Sequence, residues 1–174
     1  DTPGIDEVLL ADADPARATE VAAETGITAT TSIADTIATV DAVVIAAATS
    51  AHAELVRASM AAGKPTFCEK PLAADLGATI AVAAEIERSG IPFQLGFQRR
   101  FDPGYREARR LVESGELGTL NAVRLAGHDP APPHESYIPQ SGGLFRDFSI
   151  HDFDILRWLS GQEVDEVYAD GGVL

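Results

Sequence analysis

Lysine is nearly missing from this chain: Lys64 and Lys70 are the only two in 174 residues, and 27 acidic side chains leave a formal net charge of −14 with a pI near 4.5. The arginines are scattered and build no basic patch, so binding along a nucleic-acid backbone is excluded as a main activity. Cysteine is limited to Cys68, which excludes an intramolecular disulfide and fits a reducing, cytoplasmic setting. No apolar run approaches the roughly 20 residues of a membrane span, and residues 1–10 (DTPGIDEVLL) carry neither a basic n-region nor an apolar h-region. A membrane partner is not expected. What is present is a globular composition, 45% apolar and 23% charged, sufficient for a core.

The first hundred residues alternate two kinds of segment. Residues 7–11 (EVLLA) form a short apolar run ending at Asp12, and residues 15–25 (PARATEVAAET) have helical spacing, with Asp14 as N-cap, Pro15 at the first position and Gly26 as stop. Residues 41–47 (DAVVIAA) are apolar on both faces, as in a buried parallel strand. A capped helix over 50–62 follows, stopped by Gly63, and then a strand over 65–69, an Ala-rich helix over 74–89 ended by Gly90, and a strand over 91–96 (IPFQLG). Strands separated by helices of this length predict βαβ units and a parallel sheet covered on both faces.

Beyond residue 100 the texture changes. Residues 103–114 (PGYREARRLVES) form a polar amphipathic helix, residues 120–127 (LNAVRLAG) alternate like a half-exposed strand, and residues 129–143 form a Pro- and Gly-rich loop. One helix is predicted over 144–159 (LFRDFSIHDFDILRWL), and a strand over 164–168.

Two features carry chemistry. Lys70 lies between Glu69 and Pro71 at the end of the 65–69 strand; a residue before proline is pushed into extended geometry, and in open α/β sheets the carboxyl edge is where ligands bind. A solvated loop lysine is the plainer reading. In the predicted 144–159 helix, Asp147 and His151 are four residues apart on one face, with Asp154 three further on. A histidine with a carboxylate one turn away is a candidate general acid/base.

Three stretches, Glu69-Lys70-Pro71, GFQRRFD at 96–102 and GGLFRDFSIHDFD at 142–154, resemble in order and spacing the glucose-fructose oxidoreductase and inositol dehydrogenase family, Gfo/Idh/MocA, over essentially the whole chain. Within that family the 96–105 and 129–159 runs are most similar to bacterial inositol 2-dehydrogenases. The resemblance implies an α/β chain: an incomplete Rossmann-type dinucleotide-binding domain over residues 1–100, then the start of an α+β substrate and oligomerisation domain over 101–174. It implies an oxidoreductase that uses NAD, with NADP disfavoured, on a cyclic polyol or sugar, assembled as a dimer or tetramer.

The resemblance also implies roles for residues. Lys70 would hydrogen-bond the reacting hydroxyl, His151 would take or return its proton, and Asp147 would orient the substrate and both partners. On the cofactor side stand Asp12, Thr49, His52, Glu69 and Lys70. Asp12 ends the family's second strand, where a carboxylate receives the adenosine ribose and repels a 2′-phosphate; Asp14 already occupies the cap position, which leaves Asp12 free. His52 reads equally as a first-turn surface histidine. On the substrate side stand Gln98, Arg100, Asp129 and Tyr137, with Lys70, Asp147 and His151; Arg99 or Arg100 could instead pair with the surplus carboxylates. No metal is implied. Two other classes of function are a metal-dependent sugar lyase or isomerase with His128, Asp129, His134 and His151 as ligands, and a catalytically silent sugar-binding relative.

The chain departs from the family in one respect: it contains no G-x-G-x-x-G, and the first strand with its phosphate-binding turn is expected upstream of Asp1 in a longer protein. In the 3-2-1-4-5-6 strand order the first strand is central, so a sheet without it is expected to separate strands 2 and 3 from strands 4 to 6. The 174-residue chain by itself is therefore expected to bind NAD weakly or not at all. Calorimetric titration should show no micromolar site, and a micromolar Kd would overturn the expectation.

Overall fold

The computed structural model describes residues 3–172, so residues 1–2 of the first expected domain and 173–174 of the second lie outside the described residues. The chain divides into two compact units, Asp1–Gly96 and Phe97–Leu174.

In the first unit, β1 (Leu9–Ala11) leads through α1 (Pro15–Thr25) to β2 (Thr28–Thr30), which pairs with β1 in parallel, Leu9 opposite Thr28. The boundaries of α1 follow from its caps: the Asp14 carboxylate accepts the Ala16 N–H at 2.9 Å, and Gly26 closes the helix at φ 73°, a left-handed conformation that costs glycine little. Next comes α2 (Ile33–Thr39), which packs against β1 and against α3 (Thr49–Ala61). Neither β2 nor α2 is predicted from sequence, because a Thr-rich run favours neither period. The available signal was Ser32 three residues before Asp35, whose side chains hydrogen-bond to each other at the start of α2.

The remaining strands form a separate parallel sheet in the order β3 (Val43–Ile45), β4 (Thr66–Cys68), β5 (Phe93–Leu95), joined through α3 and α4 (Leu76–Ser89). Strands β1 and β2 are thus split from β3 to β5, as expected of the strand order without its central member. Helix α4 starts two residues later than predicted because Asp75 caps it, accepting the Ala78 N–H at 2.9 Å. Helix α3 starts one residue earlier, with Ala48 at its N-cap and no side-chain cap.

The prediction that residues 41–47 are buried on both faces is corrected. Ile45 is 3% exposed and Val44 is 73% exposed. Two right-handed crossovers that step the same way, β3 to β4 to β5, lay both helices on one face. That face carries Val43, Ile45, Cys68, Phe93 and Leu95, which pack with Val56, Leu72 and Val82 into the core. The opposite face carries the row Val44, Phe67, Gln94. The only cysteine, Cys68, lies in the core; burial, helped by the charge of Glu69, pushes its thiol up to about 12, so it is inert as a nucleophile at neutral pH.

The second unit opens with a 3₁₀ turn (Gln98–Phe101) and α5 (Pro103–Glu113), capped by Asp102, which accepts the Gly104 and Tyr105 N–H groups. Short helices α6 (Ile138–Ser141) and α7 (Leu144–Asp147) precede α8 (Ile150–Ser160). Helices α5 and α8 pack together, with the Arg109 guanidinium 4.4 Å from the Trp158 ring centroid. Three predictions are corrected here. Residues 120–127 and 164–168 form no strand, because a strand needs a hydrogen-bonded neighbour and neither segment has one among the described residues. The predicted 144–159 helix is broken at Phe148 and Ser149: both of their N–H groups bond the Leu144 carbonyl at 3.0 Å, and Ser149 then starts α8 by accepting from Asp152 and Phe153. Phe148 packs onto Gly127 so closely that a Cβ there would lie 2.6 Å from its ring.

Neighbouring residues of β3 should therefore respond differently to truncation. Ile45→Ala should cost about 2–5 kcal/mol in denaturant unfolding, whereas Val44→Ala should stay within about 0.5 kcal/mol. Equal losses would contradict the one-sided packing.

Candidate functional site

In the first unit, parallel pairing puts the carboxyl ends of β3, β4 and β5 along one edge, and the expected cofactor-side residues follow strand ends. Asp12 comes directly after β1, its N–H bonded to the Thr30 carbonyl at 3.2 Å. It is not left free by Asp14. One carboxylate oxygen accepts the Asp14 N–H at 2.9 Å, a local turn that aspartate forms two residues on, and the other lies 3.5 Å from Arg17 Nε. The Arg17 contact is a surface pair of small weight, and the side chain of Asp12 stays 33% exposed. Thr49 is the first residue of α3, half-buried.

Glu69 and Lys70 leave the end of β4. The Glu69 N–H still bonds the Ile45 carbonyl at 2.9 Å, so the ladder holds the chain up to the residue before Lys70. The Glu69 carboxylate lies across Gly96 at the end of β5: a Cβ on Gly96 would be 2.8 Å from Glu69 Oε2 and 3.1 Å from Phe67 Cζ. Gly96 is thus part of this edge, a role that sequence reading missed since the approach is tertiary. Lys70 is half-buried, and the Lys70–Pro71 peptide is cis.

His52 is not a surface histidine. It is 1% exposed, with Nδ1 2.7 Å from the Pro71 carbonyl oxygen and Nε2 3.0 Å from that of Ala47. Position in the first turn of α3 suggested exposure; the ring instead turns inward between two loop carbonyls and donates its one N–H to one of them.

In the second unit the structure brings several expected residues together. Asp147, the last residue of α7, accepts a hydrogen bond from the Tyr137 hydroxyl at 2.9 Å. Partial burial, then the adjoining Asp147 carboxylate, raise the Tyr137 phenol above its ordinary value of 10.0. His151 lies in the first turn of α8, half-buried, with Nδ1 sealed from solvent and its ring edge-on to Phe97 at 6.4 Å and 89°. The chain break at Phe148 means that Asp147 and His151 belong to different helices rather than to one helical face.

Arg100 has a different partner from the polyol expected of it. Its Nε donates to Asp154 Oδ2 at 2.9 Å and its Nη2 to Oδ1, a two-point pair with a carboxylate that is only 5% exposed. A buried carboxylate needs a cation, and the planar guanidinium supplies two parallel donors. Arg99 pairs likewise with Asp152. The 3₁₀ turn is thereby tied to α8 at Asp152 and Asp154, just after His151. No sequence signal marks these pairs, whose members are 53 and 54 residues apart. Gln98 and Asp129 are exposed, the latter in the loop before α6. Among the described residues no three His, Cys, Asp or Glu side chains stand together as a metal would require, so His128, Asp129, His134 and His151 do not form a cluster. No helix among them is long and apolar enough to cross a membrane.

In the two-stranded sheet Asp12 leaves a carboxylate at the end of β1, and in the three-stranded sheet α3 begins beside the end of β3 with no side-chain cap over its first turn. A Gly-rich phosphate turn is not among the residues of the chain.

Comparison with known proteins agrees with this geometry. Residues 2–97 match the model of an oxidoreductase family with an NAD-binding Rossmann fold, GFO/IDH/MocA, and residues 105–174 match the C-terminal domain of the same family. A myo-inositol dehydrogenase of Streptomyces leeuwenhoekii is 45% identical over 176 residues, covering 100% of this chain and 54% of the relative. The crystal structure of a dehydrogenase from Thermotoga maritima superposes with a TM-score of 0.90 at 38% identity, over 95% of this chain and 51% of that one. A scyllo-inositol dehydrogenase from Lactobacillus casei, solved with bound NAD(H) and scyllo-inositol, gives a TM-score of 0.80 at 35% identity, over 90% and 49%. The chain spans about half the length of the relatives it matches. With its Rossmann-type parallel sheet and both matched regions in order, the chain belongs to the GFO/IDH/MocA oxidoreductase family.

Proposed function

We propose that the full-length protein oxidises a secondary hydroxyl of a cyclic polyol or sugar, with myo-inositol the first choice, by hydride transfer to NAD. The observation that carries this reading is the placement of Lys70 immediately beyond the end of β4, on the ligand-facing edge of a sheet of the NAD-binding family. The inositol dehydrogenases among its relatives support the substrate class.

Removing hydrogen from a secondary alcohol separates it into a proton and a hydride. Bound NAD supplies the hydride acceptor. The ammonium of Lys70 hydrogen-bonds the reacting oxygen and favours the developing alkoxide. The imidazole of His151 takes the hydroxyl proton and returns it in the reverse direction. Asp147, held by the Tyr137 hydroxyl, orients the substrate and its two partners. Asp12 receives the ribose and disfavours a 2′-phosphate, which selects NAD over NADP. Pairing into dimers or tetramers belongs to the same reading; the exposed Val164, Val167 and Tyr168 are apolar surface that a neighbour would cover.

Turnover of the full-length protein with NAD and myo-inositol, followed by NADH absorbance, tests the assignment. Lys70→Ala and His151→Ala should each lower kcat by about 10²–10⁴ with the fold intact, and unchanged turnover would show that neither residue acts in the reaction. Activity should also survive chelation; its loss would favour a metal-dependent reaction.

The Tyr137 link has a pH signature. A phenol raised above its ordinary value contributes stability that is complete below that value and is lost as pH rises through the raised one. In a near-ultraviolet phenolate titration of the 174-residue chain, Tyr137→Phe should remove a step lying above the ordinary value of 10.0. Loss of a step at or below that value would contradict the Tyr137–Asp147 bond.

A further inference from the structure

We infer that His52 is the positioning residue that fixes Lys70, by tying the loop after β4 to the loop after β3. This rests on the reaction proposed above for Lys70. Lys70 is bounded on both sides by anchored backbone. Before it, the Glu69 N–H bonds the Ile45 carbonyl at 2.9 Å and ends the sheet ladder. After it, the carbonyl of buried Pro71 meets His52 Nδ1 at 2.7 Å, and Leu72 and Ala73 are 6% and 2% exposed. The ring's other nitrogen meets the Ala47 carbonyl at 3.0 Å, in the turn between β3 and α3.

A carbonyl oxygen only accepts and a neutral imidazole carries a single N–H, so a proton on Nδ1, facing the Pro71 carbonyl, makes the tether, while Nε2 lies against the Ala47 carbonyl. The ring is thus a rigid cross-piece between two adjacent loops of the ligand edge, and one of those loops begins at Lys70. It touches neither the proposed substrate nor the reacting atoms. Its effect passes through the backbone of Pro71, one residue from the ammonium-bearing side chain. Catalysis depends on such placement, since a displacement of about 1 Å can lower rate about 10²-fold.

The two contacts can be separated by substitution. An asparagine amide places its nitrogen near the position of Nδ1, and a glutamine amide places its nitrogen near that of Nε2. His52→Asn therefore keeps a donor for Pro71 and gives up Ala47; His52→Gln does the reverse. In the full-length protein, His52→Asn should hold kcat within about 3-fold of the parent and leave amide exchange at Leu72 and Ala73 slow. His52→Gln should lower kcat about 10²-fold, speed exchange at those amides at least about tenfold, and change KM for NAD little. Equal effects of Asn and Gln on kcat and exchange, or an innocuous Gln variant, would overturn the inference and leave His52 a core histidine.

A measurement on the unsubstituted protein guards against failure of both variants to fold. Nitrogen-15 spectra should show a ring N–H of His52 protected from exchange and coupled to the Pro71 carbonyl; a fast-exchanging ring would equally overturn the inference. If the unsubstituted protein turns over no polyol with NAD, the reaction assigned to Lys70 fails, while the exchange and ring spectra still judge the tether.

Discussion

A parallel strand cannot be followed directly by its neighbour. The chain must climb back across the sheet, and the helix that does so places every strand's carboxyl end on the same edge. In this molecule that constraint arranges nearly everything in the first unit. It gathers Thr49, Glu69, Lys70 and Gly96 along one edge, although they come from three strand ends far apart in sequence. Because both crossovers step in the same direction, it also assigns the two faces: Ile45, Cys68 and Leu95 point to helices, and Val44 does not. The closeness of neighbouring strands then explains why Gly96 is bare. The Glu69 carboxylate occupies the space that a side chain there would take.

The second unit is held by different means. Without a paired strand among its described residues, it depends on helix packing and on polar links of long sequence separation. Asp154 is the centre of this arrangement: a carboxylate so far from solvent requires a matched cation, and Arg100 provides it at two points. Arg99 and Asp152 add a second link, and Phe97 closes on the His151 ring. The helix that carries His151 is thus held to the turn by two ion pairs, and the ring itself meets Phe97 edge-on. Asp147 is oriented separately, through Tyr137 from the Pro-rich loop.

The elements with local signatures were legible. Asp14, Pro15 and Gly26 fixed both ends of α1 because capping is decided within a turn, and α5 begins at Pro103 as predicted. The Thr-rich segment of β2 and α2 was not legible, since its residues suit either state and packing against β1 and α3 makes the choice. The break in the 144–159 segment was hidden for a related reason. Its apolar spacing is helical throughout, and the break falls at Phe148, whose ring is seated on Gly127 far away in sequence. Among the candidate site residues, Lys70, Asp147 and His151 are proposed from neighbours in sequence and from resemblance. The partners of Arg100 and His52 were not, because both are long-range contacts made by side chains whose types are equally common at surfaces.

The sequence by itself determined the alternation of strand and helix, the family, and the residue types that chemistry at a polyol hydroxyl would need, because periodicity, caps and motifs are read over a few residues. Only the tertiary structure decided that Val44 is exposed, that Arg100 serves Asp154, that Asp147 and His151 belong to separate helices, and that His52 faces two carbonyls from the interior. Each of these turns on which atoms meet after the chain has folded. Burial and hydrogen-bond demand, rather than residue identity, make that selection.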